Sequence, residues 1–345
     1  MLRAFLNRKK TRKLSEVSDV RLAEEKDFIE RSKAHLEGLE DIRKVKLKSY
    51  NWRKRIAVPV TVVLTPLLGY VDYMLLFLSS GDDSAGGITL VFLGMIYAWV
   101  TNPRRQYAKA YKQQILPDLA KLFGDFGYDL NGSVDRYKMQ PSKIVPNHDR
   151  CESEDYFYGT YKGVDIEFSE VDFQERRRSK NRTYYVSVFK GLVILLDMNN
   201  KKFFGHTMLD KNKGKVGEWF KQKSSKLKRA NLVDPEFEEL FDVYTNDQVE
   251  ARYLIDPVMI ERLKGLQVEY GGENMTAAFY DSKMLILIES NHNYFEPAEL
   301  EIPATDPRSI LSMKNEIGEI LSLIDRLSLY DPRKVHEGSM TDSHI

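Results

Sequence analysis

Two apolar runs in the N-terminal third of the chain constrain what it can fold into. They span Ile56–Leu78 and Gly87–Val100 and are separated only by the polar segment Ser79–Gly86. A bilayer core about 30 Å thick requires roughly 20 apolar residues per helical crossing, and the first run meets that length. The second run, with one flanking residue at each end, reaches 16 residues, near the lower limit for a span. The pattern predicts a transmembrane helical hairpin over residues 56–101, with a buried hairpin in a soluble core as the alternative.

Charged and aromatic residues around the runs predict their orientation. Bases flank both runs on the side away from the loop, whereas the loop carries Asp82 and Asp83 and no base. By the positive-inside rule, both termini face the cytoplasm. Asp72, the one charge inside the first run, lies late in that run and is expected at the outer interface. Aromatic residues typical of membrane interfaces lie toward the ends of the runs: Tyr70, Tyr73, Tyr97 and Trp99.

The net charge of +1 conceals an asymmetry along the chain. Residues 1–112 hold 21 Lys and Arg against 12 Asp and Glu, a net charge of +9, which leaves −8 for residues 113–345. The basic part suits an anionic inner leaflet, and the acidic part suits water. A single cysteine, Cys151, excludes an internal disulfide and favours a reducing compartment.

The spacing of apolar and turn residues divides the chain into five regions. These are a basic tail and helix (1–55), the hairpin (56–101), a juxtamembrane helix (102–130), a cytoplasmic α+β domain (131–330) and a disordered tail (331–345). Within the domain, strands are followed by helices without regular alternation. This order predicts an α+β fold in which N-terminal helices precede a mainly antiparallel sheet and a C-terminal helix.

Local patterns place individual elements in the domain. The strand candidates are Tyr156–Phe168, Tyr184–Asp197, Phe203–Leu209, Phe237–Tyr244 and Thr276–Glu289. We expect the last of these to be a hairpin turned at Asp281–Ser282. Helices are predicted at Pro257–Leu266, which a proline opens, and at Ser309–Leu329, which carries apolar residues at helical spacing.

A set of short segments in the domain carries a family resemblance. The segments are Glu154-Asp155-Tyr156 with Gly159, Phe168-Ser169-Glu170, Val188–Leu192, Phe204–Thr207, Asp234–Phe237 and, most closely, Phe241–Leu254 followed by Pro257 and Met259. They resemble a bacterial domain-of-unknown-function family, number 3137, over about residues 106–330. The resemblance implies a bacterial inner-membrane protein with a two-helix anchor before the domain. It implies no activity, because the family has none assigned.

Two polar segments are candidate contact sites. The first, inside the block with the closest resemblance, is a polar recognition site made of Asp247, Gln248, Glu250 and Arg252. Its structural alternative is a strand-to-helix turn in which Asp247 caps the helix and Arg252 pairs with Glu250 or Asp247. The second is a contact with the membrane surface, for which a solvated loop is the alternative. Its residues are Lys211, Lys213, Lys215, Trp219, Phe220, Lys221, Lys223, Lys226, Lys228 and Arg229.

The sequence contains no motif for catalysis, cofactor binding or metal binding. Its six histidines include no pair with the i, i+4 spacing of a zinc hydrolase, and Cys151 has no cysteine partner. Phosphate-binding, dinucleotide-binding and Gly-x-Ser-x-Gly motifs are absent. We interpret His206 as an exposed or partly packed side chain in a strand rather than a general base. We therefore expect no catalytic residue, no cofactor and no metal.

These observations predict a membrane-anchored cytoplasmic binding or scaffold protein of the bacterial inner membrane. Its expected partners are anionic membrane lipid and a protein still to be identified, and the small pair Gly94 and Ala98 favours a homo-oligomer. Nucleic acid is not expected, because the domain is acidic overall. The alternative is a domain that binds lipid or a small amphiphile at the membrane, and an enzyme acting on membrane-linked substrates comes third.

Overall fold

A computed structural model describes most of the chain as two compact units. The described residues are 25–78, 87–179, 182–198, 203–211, 227–230, 234–269 and 275–327. The first unit comprises residues 1–115 and 296–313, and the second comprises residues 116–295 and 314–345. The predicted basic N-terminal tail, the polar loop Ser79–Gly86 and the predicted tail 331–345 lie outside the described residues.

Two long helices form most of the first unit. Helix α1 spans Lys26–Leu78 and continues through Pro59 and Pro66, and helix α2 spans Ile88–Lys121. The Asp72 carboxylate of α1 accepts hydrogen bonds from the three backbone N–H groups of residues 87–89, at 3.3, 3.1 and 2.9 Å. These N–H groups belong to the start of α2, where a helix has no acceptors of its own.

A second set of contacts joins the other ends of the apolar runs. Arg53 of α1 donates a hydrogen bond of 2.7 Å to the Trp99 carbonyl oxygen of α2. The Arg53 guanidinium also lies 5.3 Å from the centre of the Trp99 ring, a cation–π arrangement. Trp52 meets the same ring edge to face, with ring centres 6.1 Å apart. With Asp72 at one end and Arg53 at the other, α1 and α2 lie antiparallel along their apolar parts.

Among the described helices, one stretch is long and apolar enough to cross a membrane. It is Ser32–Leu78 of α1, and none of its most apolar window is buried. The apolar part of α2 is shorter, because it ends near Val100 and Arg104 follows soon after. By length and hydropathy, the second predicted span is therefore not supported.

A buried ion pair holds residues 296–306 in the first unit. Glu40 and Arg43 of α1 pair at 2.7 Å with side chains only 14% and 9% exposed. Arg43 also donates to the Leu300 carbonyl oxygen at 2.7 Å, and Glu40 accepts from the Ala304 N–H at 2.8 Å. The hydrogen bond from Arg43 holds the pKa of the Glu40 carboxyl below its ordinary value. The pair thus supplies a donor and an acceptor to a segment that forms no regular structure.

A nine-stranded antiparallel sheet is the frame of the second unit. Its strands are β1 Asp125–Asp129, β2 Arg150–Tyr161, β3 Val164–Ser179, β4 Arg182–Asp197, β5 Thr207–Lys211, β6 Lys228–Arg229, β7 Phe241–Thr245, β8 Met275–Tyr280 and β9 Lys283–Glu289. They lie in the order β1-β2-β3-β4-β9-β8-β5-β7-β6. The helices are α3 Arg136–Met139, α4 Pro235–Leu240, α5 Gln248–Leu254, α6 Pro257–Glu269 and α7 Pro307–Arg326.

Both faces at the centre of the sheet are covered, so residues 191–196 of β4 are buried without alternation. One face carries an apolar cluster that includes Val171, Phe173, Val193, Leu195, Leu287, Met139 and Ile144. On the other face, Phe157 stacks on Phe168 at 4.8 Å, and Phe295 lies 5.0 Å from Phe157. Glu316 of α7 accepts from the Phe295 N–H at 2.6 Å, which ties the C-terminal helix to this face.

The α+β architecture is confirmed, with helices first, a large antiparallel sheet and a C-terminal helix. The predicted turn at Asp281–Ser282 is also confirmed. Both residues have positive φ, 47° and 57°, as a two-residue hairpin turn of type I′ requires. The predicted helices opening at Pro257 and near Ser309 correspond to α6 and α7.

Three element predictions are wrong in part. Tyr156–Phe168 is not one strand, because the chain turns at Lys162 and Gly163, which separate β2 from β3. The first half of Phe237–Tyr244 is helix α4, which Asp234 caps by accepting from the Phe237 N–H. The candidate Phe203–Leu209 becomes a strand only at Thr207. Strand β1 and helix α3 have no counterpart among the predicted elements.

Asp72→Ala is expected to loosen the pairing of α1 and α2 and to lower the midpoint of thermal unfolding. Three N–H groups at the start of α2, which have no acceptor within the helix, lose the carboxylate that binds them. Asp72→Asn keeps a carbonyl oxygen and should fall between the wild type and the alanine variant. Thermal unfolding of the full chain in lipid nanodiscs orders the three proteins, and equal midpoints for wild type and Asp72→Ala would contradict this role.

Candidate functional site

The block Phe241–Leu254 folds as strand β7 followed by helix α5. Asp247 stands between them and accepts hydrogen bonds from the N–H groups of Val249 and Glu250 at 2.9 and 3.0 Å. It is therefore the N-cap of α5, as the structural alternative predicted. Within the described residues, Arg252 forms no ion pair with Asp247 or Glu250, so that part of the alternative is wrong.

Glu250 holds a turn that lies 45 residues earlier in the chain. Its carboxylate accepts from the Phe204 N–H at 2.9 Å and from the Gly205 N–H at 2.6 Å. A Cβ atom at Gly205 would lie 2.1 Å from Glu250 Oε2, so only glycine allows this approach. Asn246 Oδ1 accepts from the next N–H, that of His206, at 2.7 Å. Three consecutive backbone donors are thus satisfied by side chains at the start of α5.

His206 is buried, which corrects the prediction of an exposed or partly packed side chain in a strand. It is 8% exposed and precedes β5. Its Nε2 donates a hydrogen bond of 2.7 Å to the Ser142 carbonyl oxygen, because a carbonyl can only accept. Burial lowers the pKa of the imidazole below its ordinary value. His206 therefore links the turn to residues 140–142.

The turn and α5 together display an exposed apolar surface, which we term the edge patch. It consists of Phe204, Val249 and Tyr253, which are 91%, 78% and 58% exposed. Val249 and Tyr253 are one turn apart on α5, and the Glu250 contact fixes the backbone of Phe204 beside that helix. Gln248 and Arg252 are the polar residues of α5 at its border. An aromatic pair exposed to this degree is typical of an interaction surface.

Two residues of the predicted basic membrane contact lie beside α5. Lys228 and Arg229 form β6, which pairs with β7, and Arg229 forms an ion pair of 3.2 Å with Asp242. Gln248 Nε2 donates to the Arg229 carbonyl oxygen at 3.1 Å. Lys211 ends β5. The other members lie outside the described residues: Lys213, Lys215, Trp219, Phe220, Lys221, Lys223 and Lys226.

The structure thus places the four residues of the predicted polar site on α5 and its cap, and it gives them different roles. The carboxylates of Asp247 and Glu250 bind backbone N–H groups, whereas Gln248 and Arg252 remain near the surface. Phe204 was not predicted. The only sign of its role in the sequence is the glycine that follows it, Gly205. The residue that binds this turn, Glu250, is 45 residues away and could not be deduced.

Residues 187–329 match the model of a family described as "Protein of unknown function (DUF3137)". This region is therefore similar to the DUF3137 family. The match confirms the family resemblance and includes the edge patch, but it does not reach α1 or α2. The resembling segments at residues 154–170 also lie before it.

No curated protein matches the sequence. Among solved structures, the crystal structure of the mycobacterial trehalose monomycolate transport factor A, TtfA, matches with 11% sequence identity and a TM-score of 0.28. The alignment covers 62% of this chain and 96% of that chain. A TM-score at this level carries no argument about the DUF3137 region.

Protonation of His206 is expected to destabilise the fold as the pH falls. The folded state lowers the pKa of His206, so the unfolded chain binds the proton more readily, and stability is lost as pH falls through the pKa of the folded state. His206→Gln keeps an N–H donor for Ser142 and does not titrate. Between about pH 7.5 and pH 5.5, the unfolding midpoint of the wild type should fall more than that of His206→Gln. Parallel falls would show that another group is responsible.

Proposed function

We propose that the protein is anchored in the bacterial inner membrane by α1 and α2, as two spans with both termini in the cytoplasm, and that its α+β domain binds a protein partner. One observation carries the anchor. Apolar side chains are exposed along the apolar runs of the two helices. Val62, Leu67 and Phe77 of α1 are 69%, 58% and 73% exposed, and Leu90 and Met95 of α2 are 74% and 61% exposed.

Water is a poor environment for such a surface. Burying one large apolar side chain is worth about 1.5–3 kcal/mol, so many exposed together favour a lipid environment strongly. The Asp72 contact supports the crossing of α2, because it satisfies backbone N–H groups that lipid could not. The Trp52–Trp99 pair with Arg53 supports an interface at the other end, where amphipathic rings and bases are common.

The single cysteine makes the topology directly testable. In wild-type protein, Cys151 is exposed on the domain and should react with a membrane-impermeant maleimide only after the cells are permeabilised. Desolvation of the sulfur atom and the nearby Asp172 carboxylate raise the pKa of the Cys151 thiol, so the labelling is done at about pH 8. In the Cys151→Ser background, a Ser84→Cys residue in the loop should react in intact spheroplasts. A loop cysteine that reacts only after permeabilisation would overturn the two-span topology.

The edge patch supports the proposal that the α+β domain binds a protein partner. Its border carries charges of both signs, since Asp247 caps α5, Arg252 lies on that helix, and Arg229 and Asp242 lie beside it. An apolar centre with a mixed polar rim is typical of a protein interface. An anionic membrane would favour bases alone, as in the neighbouring segment Lys211–Arg229. We therefore assign the edge patch to a protein partner and the basic segment to anionic lipid.

Photo-crosslinking in cells tests this assignment. Benzoylphenylalanine at Tyr253, in the full chain, should give one protein adduct of defined mass, whereas the same group at Tyr184, an exposed tyrosine of β4, should not. Glu250→Ala should reduce the Tyr253 adduct, because the Phe204 turn loses both acceptors, at a cost of roughly 1–3 kcal/mol. Glu250→Gln keeps one acceptor and should reduce it less. Adducts only with lipid, or equal adducts at both positions, would contradict a protein partner.

A further inference from the structure

A cleft of 540 Å³ lies in the second unit. One wall is formed by residues 136–149, which connect β1 to β2, and the other includes Glu175 of β3. The volume falls within the range of about 300–1,000 Å³ typical of small-molecule sites. Sequence reasoning missed it, because residues 136–149 contain no strong periodic pattern or known motif.

Buried hydrogen bonds hold this wall in place without a ligand. The Tyr280 hydroxyl donates to the Lys138 carbonyl oxygen at 2.7 Å, and His206 Nε2 donates to that of Ser142 at the same distance. At the other end of the segment, the His148 ring stacks on Phe173 with centres 4.4 Å apart. A cleft whose backbone is fixed at both ends is preformed, so a ligand would not have to order it.

The charges that line the cleft are unequally satisfied. The Asp149 carboxylate accepts from the Arg176 N–H at 2.7 Å, and Glu175 pairs with Arg177 at 3.2 Å. In contrast, Arg136 and Lys143 form no ion pair with any described residue. Each carboxylate of the cleft therefore already has a donor, while the two cations have no acceptor among the described residues. This imbalance favours an anionic ligand.

The floor of the cleft supplies a second kind of contact. Met139 is 3% exposed and belongs to the apolar cluster on one face of the sheet. Val145 packs against the same cluster, and Pro146 follows it along the wall. An apolar floor beside two unpaired cations is a combination suited to a molecule with one charged end and one apolar part.

We propose that this cleft binds a small anionic amphiphile. Its carboxylate or phosphate group contacts Arg136 and Lys143, and its apolar part lies on Met139, Val145 and Pro146. The proposal does not rest on the protein partner of the edge patch. It would give the domain a ligand site of its own at the membrane.

Isothermal titration of the full chain in nanodiscs tests this, with empty nanodiscs as the blank. The probes are octanoate and octyl phosphate, which distinguish the two anionic groups, octanol as the neutral chain, and inorganic phosphate as the group without a chain. At least one anionic amphiphile should bind saturably. Arg136→Gln combined with Lys143→Gln should weaken that binding about tenfold or more.

The matched control removes two exposed cations of the same sheet that do not line the cleft, Arg178→Gln with Arg182→Gln, and should leave the affinity unchanged. Val145→Thr tests the floor, because it exchanges a methyl group for a hydroxyl at nearly constant volume, and it should weaken octanoate or octyl phosphate binding. Its unfolding midpoint is measured alongside, so that weaker binding is counted only for folded protein. The proposal fails if octanol binds as tightly as the anions, if phosphate alone binds equally well, if neither amphiphile binds, or if the two double variants behave alike.

Discussion

Carboxylates that accept backbone N–H groups from distant parts of the chain hold this structure together. Asp72 binds the start of α2, Glu40 binds Ala304, Glu250 binds the turn at Phe204, and Glu316 binds Phe295. In each case a charged acceptor replaces the partner that a helix or sheet would have provided. Charge-assisted hydrogen bonds of this kind are stronger than neutral ones, so irregular segments can be fixed without a sheet ladder.

These long-range contacts between carboxylates and backbone N–H groups explain which features could be predicted from sequence. The Asp281–Ser282 turn, the helix at Pro257 and the Asp247 cap depend on residues close in sequence, and their local signals were sufficient. The role of Glu250 could not be predicted, because an acidic residue on a short polar helix is usually a solvated charge. Its N–H donors lie 45 residues earlier in the chain. The burial of His206 could not be predicted for a related reason. Its partner is the backbone carbonyl of Ser142, and every residue has such a carbonyl, whatever its side chain.

The two apolar runs show a different limit on what can be predicted from sequence. Composition located both apolar runs, yet the second is too short to be identified as a span from its own residues. The Asp72 carboxylate of α1, which satisfies N–H groups at the start of α2, is a contact that no hydropathy average includes. The cleft was missed because it depends on tertiary contacts: its walls come from an irregular connection and a strand, and its charge balance appears only when each acid is matched with its donor.

The contact between Gly205 and Glu250 has a consequence for how the family can vary. Any side chain at position 205 would collide with the Glu250 carboxylate. Loss of that carboxylate would leave the backbone N–H groups of Phe204 and Gly205 without their acceptor. Neither position can change alone without cost, although 45 residues separate them. Across homologous sequences, glycine and glutamate at these two positions should therefore be inherited together or replaced together, as a correlated pair that marks the presence of this turn.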